Sequence, residues 1–278
     1  MVFRDLSTIV RMAMPVRGAT HEERLENFYA TQAEHYDAFR KRLLHGRTEL
    51  YQSLDIPDGA YWVDFGGGTG ANLECRADDM HRFGRVEVVD LSSSLLEIAD
   101  RRIEQHGWDN VQTTCCDVTK FQPDRPVDVV TFSYSLTMIP DWFRAINQAM
   151  KILKPGGTIG VVDFYVSRKH PEPDRRRHWS LTQWFWPTWF RHDNVFLSPD
   201  HLPYLSQHFD PASIHESSGG IPWVPLLRVP YYRFVGMKSV ANSSGLEQDE
   251  CGTENSTDDE SKGSEEITEA APSVTSPA

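Results

Sequence analysis

Seven consecutive residues, Asp64-Phe65-Gly66-Gly67-Gly68-Thr69-Gly70, restrict what this chain can fold into more than any other stretch. They have the form D-x-G-x-G-x-G and complete the β-rich run "AYWVDF". Glycines at this spacing let a backbone turn tightly off a strand and approach a ligand closely, ahead of a helix whose first N–H groups can face it. Such a unit belongs to an open parallel sheet, so the same alternation of strand and helix should recur downstream.

It does recur. "VEVVD" reads as a second strand, and "VQTTCCD", "VDVVTFSYS" and "GTIGVVDFYV" as the third to fifth. The stretch after the glycine loop suits a helix. In "LSSSLLEIADRRIEQHG", Leu95, Leu96, Ile98, Ala99 and Ile103 have helical spacing behind serines that can cap. "DWFRAINQAMKILKPGG" is a helix before the fifth strand, which Lys154-Pro155-Gly156-Gly157 should close. The expected fold is α/β, a Rossmann-like, doubly wound, mostly parallel sheet, and its ligand should lie beyond the carboxyl ends of the strands.

The strand ends supply the candidates. Asp64, Gly66, Gly68 and Gly70 form the first turn. Asp90, with Leu91 after it, ends the second strand twenty residues past Gly70, where a carboxylate can take both hydroxyls of a ribose. Asp117 and Val118 follow the third strand, within reach of an adenine amino group, although a helix N-cap explains Asp117 almost as well. Ser133, Tyr134 and Ser135 face the space where a substrate enters. Gly66, Gly68 and Ala71 also satisfy the dinucleotide pattern G-x-G-x-x-A. Asp64, Asp117 and the Lys-Pro-Gly-Gly turn favour S-adenosyl-L-methionine over NAD, and together they look like a class I methyltransferase.

Charge and cysteine content narrow the setting. The net charge of −12 lies mainly after residue 238, where ten acids face one lysine and no aromatic residue occurs. That composition cannot bury enough apolar area to offset its conformational entropy, so residues 239–278 read as a disordered acidic tail. Residues 28–238 read as the catalytic domain and 1–27 as an extension. In that extension Val2, Phe3, Leu6, Ile9, Val10 and Met14 share a helical face, suited to packing or to a membrane surface. Cys75, Cys115, Cys116 and Cys251 have no metal-like spacing and fit a reducing compartment. No metal is expected. No run of eighteen apolar residues occurs, and no broad basic excess suggests nucleic acid. The aromatic block "HWSLTQWFWPTWF", with Trp179, Trp184, Trp186 and Trp189, suits core packing, a membrane-facing surface or the wall of a cation pocket. Phe185 and Trp189, four apart, are the expected core pair, and Pro187 should interrupt any single helix there.

Longer blocks sharpen the resemblance. "FYATQAEHYDAFRKRLLHGR", the Gly-Gly-Gly-Thr-Gly loop, "SLTMIPDW", "GVVDFYVSR", "FWPTWFRHDNVFLSPDHLPYL" and "VPYYRFVG" resemble the methyltransferase domain of betaine lipid synthases, from about Phe28 to Gly236. The resemblance implies three methylations of the amine of diacylglycerylhomoserine, giving diacylglyceryltrimethylhomoserine. It also implies an N-terminal helical lid and an aromatic-rich insertion after the fifth strand. Tyr36 and Arg40 would belong to the lid over the cofactor, and Arg40 or Arg47 could grip the substrate carboxylate. The expected partners are a lipid at a membrane surface and a separate 3-amino-3-carboxypropyl transferase. The expected location is cytoplasmic, peripheral at an internal membrane such as the endoplasmic reticulum.

The chemistry of such a reaction needs position more than an acid or base, because an amine buried from water loses its proton. Tyr134, Ser135 and Tyr165 are the expected positioning groups. A quaternary product suits aromatic faces, for which Trp184, Trp186, Trp189, Tyr231 and Tyr232 are candidates. The basic run "RKHPEPDRRRHW" before the block suits anionic headgroups. A methyltransferase of a soluble small molecule and a non-catalytic binding module would share the cofactor residues.

Overall fold

The computed structural model describes residues 42–191, 194–222 and 224–240; the expected extension, Tyr36, Arg40 and the acidic tail lie outside them. Helix α1 is Arg47–Ser53 and strand β1 is Tyr61–Phe65. A 3-10 segment, Leu73–Arg82, leads to β2, Arg85–Asp90, and α2, Ser93–His106. Then come β3, Val111–Cys115, β4, Val127–Ser133, a 3-10 turn, Leu136–Met138, and α3, Trp142–Ile152. Strand β5 is Leu153–Phe164, followed by α4, Ser180–Phe190, α5, His201–His208, β6, Asp210–Ile221, and β7, Val224–Met237.

The strands make one seven-stranded sheet in the order β3-β2-β1-β4-β5-β7-β6. The first five are parallel, while β7 runs antiparallel to both β5 and β6. Order reverses beside β1, so the carboxyl ends of β1 and β4 flank the crevice where such sheets bind ligands. All five residues of β1 are buried, as expected of a central strand covered on both faces. Tyr61, Val63 and Phe65 point toward a core with Ala145, Ile146, Ala149 and Leu205. Trp62 points the other way, into a core with Tyr51, Leu73, Met80 and Leu96.

Four local expectations are corrected. The segment after the glycine loop is a 3-10 helix kinked at Arg76 (φ −130°), rather than one α-helix. The Lys154–Gly157 turn does not cap α3, which ends at Ile152 with Leu153 already extended; it forms an irregularity in β5, with Gly156 at φ 76°. Pro187 sits inside α4 without breaking it. Its neighbours Trp186 and Phe190 are anchored in an apolar cluster with Tyr134, Val162 and Phe164, and this packing holds the helix through the proline. The buried pair is therefore Trp186 and Phe190, whereas Trp189 is 44 % exposed and Phe185 only partly buried. By contrast, Ser92 caps α2 as its sequence suggests, accepting the Leu95 N–H, and Gly107 ends the helix at φ 64°. The strand β6 carries no strand signal in "DPASIHESSGGI", because an edge strand needs little apolar content and tolerates Pro and Gly.

Candidate active site

The glycine loop leaves β1 with Gly66, Gly68 and Gly70 all at positive φ (66°, 56° and 69°). The Gly66 N–H donates to the Val89 carbonyl at 2.8 Å, which ties the loop to β2. On its other side the loop touches the end of β4: the Ser135 hydroxyl donates to the Phe65 carbonyl at 2.9 Å. A Cβ at Gly66 would stand 2.5 Å from the Ser135 Cβ, so only glycine fits this approach.

Asp64 is wholly buried beneath the loop and holds it from below. Its Oδ1 accepts the Tyr51 hydroxyl at 2.8 Å and the Thr131 hydroxyl at 2.6 Å, and its Oδ2 accepts the Asn72 amide at 2.9 Å. Trp62 donates its indole N–H to Thr131, and Arg47 donates to Asn72 at 3.3 Å. Burial pushes the Asp64 carboxyl above its ordinary range, while the three donors favour the charged form and limit that rise. Asp64 is thus a brace for the loop, and Arg47, expected at the substrate, instead belongs to this network. Tyr51 and Asn72 are site residues that no sequence motif marks, because their roles depend on the α1 and loop geometry.

Asp90 stands at the mouth of the loop, where its Oδ2 accepts the Gly68 N–H at 2.9 Å and its Oδ1 accepts the Ser92 N–H at 3.0 Å. A carboxylate fixed in this way, at the end of β2, is suited to a ribose diol. Leu91 is half-buried beside it. Asp117 lies two residues past β3 and takes the N–H and hydroxyl of Thr119 at 2.9 and 2.8 Å. Burial opposes its ionisation, but Thr119 and Lys120 outweigh this and lower its pKa. No helix directly follows Asp117, so it caps the turn at 118–120 rather than a helix, and Val118 is packed into the core.

At the end of β4, Ser133 is buried with no partner for its hydroxyl. Tyr134 holds a left-handed backbone (φ 55°), rare for an aromatic residue, and donates its hydroxyl to the His45 carbonyl. The Tyr134 N–H also donates to the Val162 carbonyl at 2.8 Å, and the turn that follows is braced by Asp163, which the sequence does not single out. Fully buried at the end of β5, its carboxylate accepts the Thr137 hydroxyl at 2.7 Å, the Thr137 N–H at 3.1 Å and the Phe164 N–H at 2.8 Å.

Of the remaining expected residues, Tyr231 adjoins the end of β4 through His45, and the others do not converge on this crevice. Tyr165 donates to Glu216 at 2.7 Å, and Tyr232 is buried in the core behind the sheet with its hydroxyl unpartnered. Tyr231 is half-buried and stacks on His45. Trp186 is core, whereas Trp184 and Trp189 face solvent at 66 % and 44 % exposure, so neither lines an enclosed cation cage. The rings are nevertheless connected. Tyr134 meets Phe164 (centroids 4.5 Å), Phe164 meets Phe190 (5.0 Å), and Phe190 meets Trp186 (5.8 Å). Trp186 meets Phe185 (4.9 Å), which meets Trp189 (5.5 Å). A file of aromatic contacts thus runs from the end of β4 to the surface of α4.

The strand order, the glycine loop and the acid ending β2 define a Rossmann-like fold of the class I methyltransferase type, whose cofactor is S-adenosyl-L-methionine. The residues fit it: three positive-φ glycines make a cradle with no Cβ at the turn, and Asp90 is fixed at its mouth. Residues 63–157 match the family model described as "Methyltransferase domain". The chain is 24% identical over 142 residues to a demethylmenaquinone methyltransferase of Geobacillus stearothermophilus, covering 49% of this chain and 61% of that protein's length. It is 27% identical over 175 residues to a 2-phytyl-1,4-naphtoquinone methyltransferase of Thermosynechococcus vestitus, covering 60% and 75%. Among solved structures, the geranyl diphosphate C-methyltransferase of Streptomyces coelicolor A3(2) has the same fold, with a TM-score of 0.59, 16% identity and coverage of 80% and 99%. YcgJ of Bacillus subtilis does too, at 0.56, 16%, 70% and 99%.

Proposed function

We propose that this chain is an S-adenosyl-L-methionine-dependent N-methyltransferase that converts diacylglycerylhomoserine to its trimethylated betaine lipid. The observation that carries an amphipathic acceptor is the exposed apolar face of α4, with Leu181 at 70 % and Trp184 at 66 % exposure, whose buried side packs through Phe164 onto Tyr134 at the end of β4. A lipid can lay its tails along that surface and present its headgroup at the end of β4.

When bound, the cofactor supplies a methyl group on a sulfonium, open to in-line attack by a lone pair. The glycine loop and Asp90 would hold it, and Asp64 keeps the loop rigid through Tyr51, Thr131 and Asn72. At the end of β4 the Ser133 hydroxyl is unpartnered and suited to orient an acceptor, while the Tyr134 and Ser135 hydroxyls already donate to the His45 and Phe65 carbonyls. An amine suits such a site, because apolar surroundings already favour its neutral, nucleophilic form. The lipid would reach the protein at an internal membrane, from a separate 3-amino-3-carboxypropyl transferase.

A second reading comes from the relatives, whose names specify quinone methylation, in some cases at carbon. The same rings would accept an isoprenoid tail. Carbon methylation of a hydroquinone releases a phenolic proton, and a lipid amine likewise releases one proton before each further methylation, so the label's position and not the proton distinguishes the two readings. The experiment is incubation of the purified chain with methyl-labelled cofactor and a lipid extract. Label in the organic phase, on a lipid amine, supports the proposal. Label on a quinone ring selects the second reading, and label only in water-soluble product rejects both.

A further inference from the structure

Helix α4 is apolar on both faces. One side is anchored through Trp186 and Phe190, at 3 % and 4 % exposure. The opposite side carries Leu181, Trp184, Phe185 and Trp189, and Trp179 stands just before it. Leu181 is 70 % exposed, Trp184 66 % and Trp179 84 %. A surface helix ordinarily turns charged or polar residues to water, and one that is apolar all round ordinarily lies buried. Here no described residue covers the outer face. Exposed apolar groups gathered on one element mark an interaction surface rather than a scatter of single residues.

The charge around the patch identifies what covers it. Between residues 168 and 191, six cations (Arg168, Lys169, Arg175, Arg176, Arg177 and Arg191) stand against Glu172 and Asp174, in a chain of net charge −12. Arg168 pairs with Asp200 at 2.7 Å and Arg175 approaches Glu172 at 3.8 Å. Lys169 and Arg177 are exposed beside the patch, the latter two residues before Trp179. The segment is tied to the helix: the Gln183 amide donates to the carbonyls of Ser167 and Arg168, and His178 accepts the Ser167 N–H at 3.0 Å. Tryptophans and leucine flanked by cations are the pattern of a helix lying in the headgroup region of an anionic bilayer, with rings at the acyl boundary and cations over the phosphates.

We infer that the outer face of α4, with Lys169 and Arg177, is a docking surface for an anionic lipid bilayer. Membrane docking would hold the protein against the bilayer that carries the acceptor, with Trp189, at the surface end of the packed rings, in the interface. This deepens the lipid-acceptor reading and rests on it for its role, but the binding itself can be measured separately.

The test is flotation of the full chain with phosphatidylcholine vesicles, with and without phosphatidylserine. Binding should require phosphatidylserine and weaken as salt rises. Leu181→Ser/Trp184→Ser should weaken binding about tenfold or more, since both side chains lose their apolar contact with the bilayer. Lys169→Ser/Arg177→Ser should weaken it about 25-fold on anionic vesicles, about fivefold for each cation. Both variants alter exposed side chains, so cofactor binding and thermal melting should match the parent. Absence of flotation, or flotation unchanged in both variants, overturns the inference. A parent dimer in sedimentation that Leu181→Ser/Trp184→Ser dissociates, without vesicle binding, also overturns it and assigns the face to a second copy. A chain that floats but methylates no lipid leaves docking intact and rejects the proposed reaction; one that methylates detergent-dispersed lipid yet never floats does the reverse.

Discussion

Two buried histidines should give this fold a share of stability that is lost on acidification through the ordinary histidine range. His201 is fully buried, edge-on to Trp142 at 4.7 Å, and neither ring nitrogen has a partner. Burial alone lowers its pKa from 6.5 to about 3. His178 is buried behind the first turn of α4, with Nδ1 accepting the Ser167 N–H, so a proton on Nδ1 would meet another donor. Burial, with Arg176 nearby, lowers its pKa to about 4. Both groups are depressed, so the unfolded chain binds protons that the folded chain refuses, and their share of stability falls as pH drops below 6.5, while buried Asp163, raised to about 7, acts in the opposite direction. Integrated from pH 7.5 to pH 5, each histidine costs about 2 kcal/mol, and together about 4 kcal/mol. The assay is urea denaturation followed by tryptophan fluorescence at the two pH values, for the parent and for His201→Phe, which keeps the ring against Trp142. Comparison of the two cancels every other titration. The variant should lose about 2 kcal/mol less on acidification than the parent. Equal losses would refute the reasoning, as would a His201 resonance that titrates near 6.5.

Other perturbations probe the site. Gly66→Ala forces a side chain onto a backbone at φ 66° and against Ser135, so cofactor affinity by calorimetry should fall at least about tenfold, an effect of about 1.4 kcal/mol. Asp163→Asn presents an amide to N–H donors that now meet a carboxylate oxygen; one orphaned donor costs about 1–3 kcal/mol, readable by denaturation at neutral pH. Trp186→Ala removes a ring at 3 % exposure and should cost about 3–5 kcal/mol of stability, whereas Trp184→Ala, at 66 % exposure, should cost little.

The sheet is legible because its central strands are near-continuous apolar runs separated by amphipathic stretches, one of them capped by Ser92, and periodicity reports those features directly. The glycine loop and Asp90 were legible for a related reason: a tight turn and an acid at a strand end leave local marks. What the sequence hides is set by distant contacts. Tyr51 and Asn72 become site residues only when α1 folds over the loop, and Asp163 matters because Thr137 meets it across a turn. The aromatic block misleads for the same reason. Spacing alone makes Phe185 with Trp189 as good a pair as Trp186 with Phe190, and the choice is made by Phe164 on β5. Pro187 is tolerated in α4 because that packing outweighs its local preference.

The most direct test of the central claim offers the purified chain two acceptors side by side, diacylglycerylhomoserine and demethylmenaquinone, each in anionic vesicles with labelled S-adenosyl-L-methionine. The account predicts mono-, di- and trimethylated forms of the homoserine lipid by mass, with the label on nitrogen, and no turnover of the quinone. Turnover of the quinone alone, with label on a ring carbon, would contradict it.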